Sequence, residues 1–199
     1  PASVVVSGEA AALAELLAHC EEHGVRARAV PVDYASHSAQ VAAIEDRLRE
    51  ELAAVRPLPG RVPLFSTVTG DWLDTTAMDA GYWYRNLRQT VRFETAVRAL
   101  AEQGFDVFLE ASPHPVLTMA VQETVEDAAA PASAAGGAVV AGTLRRGEGG
   151  PRRALASAAE LWVAGVAVDW AAVYARTGAR TVPLPGYPFQ TRRYWLGPA

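Results

Sequence analysis

Short apolar runs alternate with stretches of helical periodicity along most of this chain, and that alternation restricts the fold more than any other feature. Residues 4–6 (Val-Val-Val) read as a short strand. Ser7 is placed to cap a following helix whose Leu13, Leu16, Leu17 and Cys20 form one apolar face. Gly24 ends that helix, and residues 25–32 return as a strand with apolar side chains nearly alternating. Val41, Ile44, Leu48, Leu52 and Val55 then follow at spacings of three or four, which predicts a helix that Pro57 and Pro59 stop. Residues 64–68 read as a buried strand with a Gly70-Asp71 turn behind it. A helix starting near Thr90 puts Phe93, Val97, Leu100 and Ala101 on one face and closes at Gly104. Residues 107–109 predict a strand, residues 115–125 a helix, and residues 139–141 a last strand. The Pro-, Ala- and Gly-rich residues 128–137 read as a surface loop. Leu155, Ala159, Trp162 and Val166 suggest one more helix, and the chain is extended from Pro183 onward. Strands alternating with helices predict an α/β sandwich with a largely parallel sheet.

Composition excludes several classes. Of 199 residues, 50% are hydrophobic and 20% charged, enough apolar material for a real core in one medium domain or a domain with an appendage. The formal net charge of −4 argues against nucleic acid as a partner, because that binding requires clustered Lys and Arg. Arg145, Arg146, Arg152 and Arg153 do cluster, but Gly and Glu interrupt them, and a solvated turn is the better reading. Cys20 is the only cysteine, so an internal disulfide is impossible and a reducing compartment is expected. The apolar runs are far shorter than a membrane span. The first residues have no basic region and open straight into a strand, so no signal peptide is expected and a cytoplasmic protein is.

The phrase with chemical content is Tyr34-Ala35-Ser36-His37, a histidine where an apolar strand gives way to a helix. Unpaired N–H groups at a helix start disfavour an imidazolium, and a neutral ring is what general-base catalysis needs. The alternative is a polar residue in a helix-start turn. Asp33 stands four residues earlier, but strand geometry makes it a poor partner for the ring. His19 and His23, near the end of the first helix, read as solvent-facing residues without metal-ligand partners.

Several motifs in register now point to one family. Residues 1–8 (Pro-Ala-Ser-Val-Val-Val-Ser-Gly), Tyr34-Ala35-Ser36-His37-Ser38 and Tyr82-Trp83-Tyr84-Arg85-Asn86-Leu87-Arg88 resemble the acyltransferase domain of modular type I polyketide synthases. Phe108-Leu109-Glu110-Ala111-Ser112-Pro113-His114-Pro115-Val116-Leu117 and Leu184-Pro185-Gly186-Tyr187-Pro188-Phe189-Gln190 continue the match in the same order, so it covers essentially the whole chain. One part is missing. The family's nucleophilic serine sits in a Gly-His-Ser-x-Gly-type elbow, and no Gly-x-Ser-x-Gly occurs in this sequence.

The resemblance implies the C-terminal part of the family's large α/β-hydrolase-like subdomain with part of its ferredoxin-like small subdomain, followed by an extended linker. Residues 1–33 would belong to the small subdomain, 34–148 to the large one, and 149–199 to the linker. His37 would be the general base toward a serine supplied from elsewhere. In the family a backbone carbonyl orients that histidine, and the matching position is Asn86; an Asn capping a turn before Leu87 is the other reading. Tyr-Ala-Ser-His accompanies methylmalonyl units in the family, where malonyl-taking relatives show His-Ala-Phe-His. Tyr34 and Ser36 are therefore the implied substrate-binding pair, with a small Ser36 leaving room that a phenylalanine would fill. One methyl group in a pocket discriminates by roughly 1–3 kcal/mol. The alternative is that both residues only pack beneath the helix. The family's arginine for the substrate carboxylate has no match here, and Arg85, Arg88 and Arg92 do not take its place without geometry. His114 and Ser112 read as parts of a proline-stiffened turn rather than as catalytic groups.

The implied partners are methylmalonyl-CoA, an acyl carrier protein bearing phosphopantetheine, and the serine-bearing half of the acyltransferase. No cofactor and no metal is implied for the domain itself. Residues 183–195 combine Pro183, Pro185 and Pro188 with Tyr187, Phe189, Tyr194 and Trp195, aromatic anchors on a stiffened segment. A free linker would be rich in Gly, Ser or charge. By resemblance this strap docks toward the ketosynthase of the same module. Two other readings stay open: a non-catalytic scaffold or docking piece, and a malonyl-transferring enzyme of the fatty-acid type.

Overall fold

The computed structural model describes residues 3–128, 137–192 and 195, and divides into two compact units, Pro1–Val166 and Ala167–Ala199. The first unit is mixed α/β. Its elements in order are α1 (Ala10–Glu22), a 3₁₀ turn (Ala39–Ile44), α2 (Glu45–Glu51), β1 (Leu64–Ser66) and β2 (Asp71–Leu73). After a second 3₁₀ turn (Thr75–Ala77) come α3 (Ala80–Arg88), α4 (Phe93–Glu102), β3 (Val107–Glu110), α5 (Thr118–Asp127), β4 (Val139–Gly142) and α6 (Pro151–Val163).

The core forms where both packing partners lie in the same stretch of sequence. β3 and β4 pair in parallel, with Val107 opposite Val139 and Glu110 opposite Gly142, and α5 lies between them in the chain. Val97 and Ala101 of α4 meet Val121 and Val125 of α5, with Phe93, Phe108 and Val140 packed against them. Gly104 ends α4 with φ +90°, and the next turn closes in Schellman fashion: Gly104 N–H donates to Ala101 and Phe105 N–H to Leu100. The Glu110 carboxylate accepts the N–H groups of Val116 and Leu117 and the Ser112 hydroxyl, which fixes the entry to α5.

A second nucleus holds β1, β2 and α3. β1 and β2 are an antiparallel pair, Leu64 opposite Leu73 and Ser66 opposite Asp71. The buried Ser66 hydroxyl bonds the buried Tyr82 hydroxyl at 3.0 Å and accepts from Val68 N–H, tying α3 to the hairpin turn. Asp79 caps α3 by accepting from Tyr82 N–H at 2.8 Å. Arg49 of α2 pairs with Glu45 at 2.8 Å and stands over the Tyr84 ring of α3, 5.4 Å from its centroid, so α2 is fastened to α3.

Four expectations are corrected. Residues 4–6 and 25–32 are extended but form no strand, and Val4, Val5, Val25, Val30 and Val32 are exposed. A strand is held by a neighbour's N–H and C=O groups, and none lies beside these segments among the described residues. For the same reason the described residues form no largely parallel sheet, only one antiparallel and one parallel pair. The helix expected through Val55 breaks at Ile44 (φ −113°, ψ 10°) into a 3₁₀ turn and the short α2. Ser7 is not a cap either: Glu9 holds that position, without a side-chain bond. α3 and β2 were not anticipated. Residues 129–136, most of the expected loop, and Tyr194 lie outside the described residues.

In the second unit, α7 (Trp170–Tyr174) starts at Asp169, which accepts from Ala172 N–H at 2.9 Å. Beyond residue 178 the described chain has no regular element. The Tyr187 and Phe189 rings meet edge to face at 5.0 Å, and Phe189 N–H donates to the Tyr187 carbonyl across Pro188. Leu184, Tyr187, Phe189 and Trp195 are exposed. No helix among the described residues is long and apolar enough to cross a membrane.

Candidate active site

His37 sits in a turn that the backbone does not adopt readily. Its φ is +60°, the only positive φ at a non-glycine position among the described residues. Such a conformation costs on the order of 1 kcal/mol and persists only where the surroundings hold it. Ser38 supplies part of that hold. It is buried, its hydroxyl donates to the Ala35 carbonyl at 2.6 Å, and the same oxygen accepts from Gln40 N–H at 3.3 Å. One side chain thus clamps both sides of the turn that carries His37.

The other part of the hold comes from the C-terminal end of α3. His37 N–H donates to the Leu87 carbonyl at 2.7 Å, and its ring Nδ1 lies 2.7 Å from the Gln89 carbonyl. A carbonyl only accepts, so Nδ1 carries the proton and the lone pair is on Nε2. No carboxylate bonds the ring, and Nε2 has no partner among the described residues. The half-buried ring is neither sealed in the core nor loose on the surface.

The expected acceptor, Asn86, is therefore replaced here by Gln89. The physical reason lies in the helix end. Asn86 is inside the last turn of α3, where carbonyls point along the helix axis, whereas Gln89 is the C-cap with extended dihedrals (φ −87°, ψ 162°) that turn its carbonyl out toward the histidine. Leu87 joins it as a second anchor. The setting of the ring also differs from the one read in the sequence: its polar neighbours are helix C-terminal carbonyls, not helix N-terminal N–H groups. Ser38 carried a readable signal as a residue placed to cap the following turn, but Gln89 carried none, since any residue type supplies a carbonyl.

Ser36 is half-buried and Tyr34 is 67% exposed, both just ahead of the clamped turn. The cleft bounded by Pro115, β4 and α6 includes none of Tyr34, Ser36, His37 or Gln89 in its walls. Arg92 is engaged with the hairpin turn, its guanidinium donating to the Thr69 carbonyl at 3.0 Å and its N–H to Thr67. His114 accepts the N–H of Arg146 through Nδ1 at 3.3 Å, a bond that supports the Arg145–Glu148 turn. The reading of His19 and His23 as lacking ligand partners is corrected: Glu22 joins them in a three-residue cluster of potential ligands.

A backbone-oriented imidazole with a bare Nε2 is equipped to take a proton from a hydroxyl or thiol brought before it. The model of one family, described as the acyl transferase domain, matches residues 1–168. This chain belongs to that family.

Polyketide synthases are among its relatives. Polyketide synthase GfsE of Streptomyces halstedii is 60% identical over 196 residues, 98% of this chain and 5% of that protein. Erythronolide synthase EryA3 of Saccharopolyspora erythraea is 52% identical over 193 residues, 97% of this chain and 6% of the synthase. The acyltransferase domain from module 8 of the salinomycin polyketide synthase superposes with a TM-score of 0.76 at 53% identity, over 82% of this chain and 37% of that one. The chain is thus part of a polyketide synthase acyltransferase domain, and it spans about one-twentieth of the length of the curated synthases it matches.

Proposed function

We propose that this chain carries the general-base part of an acyltransferase that moves a methylmalonyl unit from CoA to an acyl carrier protein. The observation that supports it most is the His37 ring, tied through Nδ1–H to the Gln89 carbonyl with Nε2 bare. In this reading Nε2 takes the proton from a serine hydroxyl supplied from outside these residues as that oxygen attacks the thioester carbonyl. The protonated ring then gives the proton to the departing CoA thiolate, leaving an acyl-serine. In the second half the ring takes the proton of the carrier protein's phosphopantetheine thiol, whose sulfur attacks the acyl-serine, and returns that proton to the serine oxygen.

Tyr34 and Ser36 line the substrate in this proposal, with the small Ser36 admitting the α-methyl group. Asn86, implied by resemblance, gives way to the Gln89 carbonyl as the orienting group. Residues 1–33 are read as part of the ferredoxin-like small subdomain, 34–148 as part of the α/β-hydrolase-like large subdomain, and 149–199 as a linker docked toward a ketosynthase. A cytoplasmic setting fits a donor that is a CoA thioester. The test joins this chain to the serine-bearing segment of its synthase and follows acylation by methylmalonyl-CoA. Activity lost in His37→Ala and a loss in Ser36→Phe that is larger for methylmalonyl than for malonyl are the expected results. Full activity in His37→Ala would leave only the scaffold reading, and equal effects of Ser36→Phe on both donors would defeat the assignment of Ser36.

A further inference from the structure

The last turn of α1 brings His19, Glu22 and His23 onto one exposed strip, each offering a ligand atom within 4.8 Å of the others. The spacing follows from the helix: residues three and four apart stand over one another on the same face. The two imidazole rings lie 4.1 Å apart, centroid to centroid, with an angle of 33° between their planes. His23 is already oriented. Its Nδ1 lies 2.8 Å from the His19 carbonyl, so Nδ1 carries the proton and Nε2 holds the free lone pair. Metal-binding histidines are commonly arranged this way, with the second ring nitrogen donating to a backbone carbonyl that fixes the tautomer.

We infer that this strip is a site for a divalent transition ion, Zn²⁺ by the chemistry of its ligands. Two imidazole nitrogens and one carboxylate oxygen suit Zn²⁺ in tetrahedral geometry, with the fourth position left to water or to a side chain from outside. Ligand atoms around such an ion stand about 3.3 Å apart, from bonds of about 2.0–2.1 Å. The three ligand atoms, within 4.8 Å of one another, therefore have up to about 1.5 Å to close. Electrostatics favour the same place. The strip is at the C-terminal end of a 13-residue helix, where the last carbonyls present partial negative charge to a cation. Gly24 (φ +67°) turns the chain away immediately afterwards, with Val25 N–H donating to the Cys20 carbonyl at 2.8 Å, which leaves the face of the last turn open. The site is independent of His37 and of the acyl-transfer reading.

The test titrates ZnCl₂ into the 199-residue chain, without a polyhistidine tag, by calorimetry. One Zn²⁺ per chain is expected, with affinity at least about tenfold weaker in His19→Ala and in His23→Ala, and unchanged in His114→Ala. Addition of Ni²⁺ followed by NMR is expected to broaden the His19 and His23 ring signals before those of His37 and His114. Circular dichroism of each variant in the absence of metal reports whether α1 still forms, and Glu22→Gln, which keeps shape and helix propensity, checks the third ligand without that risk. No saturable uptake by the unsubstituted chain, or uptake undiminished in the His19→Ala/His23→Ala double variant, would overturn the site.

Discussion

His37 and Gln89, 52 positions apart in the chain, meet through a 2.7 Å bond from a ring nitrogen to a main-chain carbonyl. The contact fixes which nitrogen of the histidine keeps a free lone pair. It depends on α3 ending at Arg88, because only past that point does the backbone turn its carbonyl outward.

A main-chain acceptor makes the side chain at 89 dispensable. Gln89→Ala and Asn86→Ala are both expected to leave the proton of His37 on Nδ1, with stability changed by no more than about 0.5 kcal/mol. The ¹⁵N shifts of the ring report the tautomer directly. A switch of tautomer in Gln89→Ala would show that a side chain holds the ring.

The left-handed backbone at 37 reverses the usual ranking of glycine and alanine. His37→Gly and His37→Ala both remove the ring, yet the glycine variant should be the more stable by about 1 kcal/mol, since only alanine keeps the Cβ that crowds the backbone at φ +60°. Urea denaturation of the pair measures this, and an alanine variant as stable as the glycine one would mean that the turn relaxes.

Ser38→Ala removes one oxygen from two bonds of the same turn and leaves the Ala35 carbonyl without its hydroxyl donor. A loss of about 1–2 kcal/mol is expected, most of it recovered by Ser38→Thr. If His37 is the base as proposed, Ser38→Ala in the assembled acyltransferase should lower kcat more than it raises KM, because the Ser38 hydroxyl is spent on the turn that carries the ring. An effect on KM alone would contradict that role.

The Glu110 carboxyl stands below its ordinary value of 4.5: burial pushes it up, but the N–H groups of Val116 and Leu117 and the Ser112 hydroxyl outweigh that. A carboxyl lowered by folding adds stability that is complete above its unfolded value. That stability is lost as pH falls below about 4.5 and through the folded value. Glu110→Gln is expected to cost about 1 kcal/mol at neutral pH after solvent screening, and to flatten this acid limb of the pH–stability curve. An unchanged limb would place the acid sensitivity elsewhere.

How much could be read in advance follows from where each element's partner lies. The apolar spacing of α4, α5 and α6 and the runs at β3 and β4 announced those elements, because their buried faces meet one another within the described chain. α3 was missed because its run is polar on average, although its charged and apolar residues fall on separate helix faces; Asp79, a capping residue three positions ahead of Tyr82, was a further signal. Residues 25–32 have strand composition yet form no strand, since composition does not provide the neighbouring backbone that a strand requires.

By itself the sequence determined the family and the absence of a Gly-x-Ser-x-Gly elbow, because these are matters of residue type and local order. Only the tertiary structure decided that Gln89 rather than Asn86 faces the ring, that Ser38 clamps a left-handed turn, and that Glu22 stands with His19 and His23. Carbonyls are the same in every residue, so their direction comes from where a helix stops and how the next segment packs. No pattern of side chains records that.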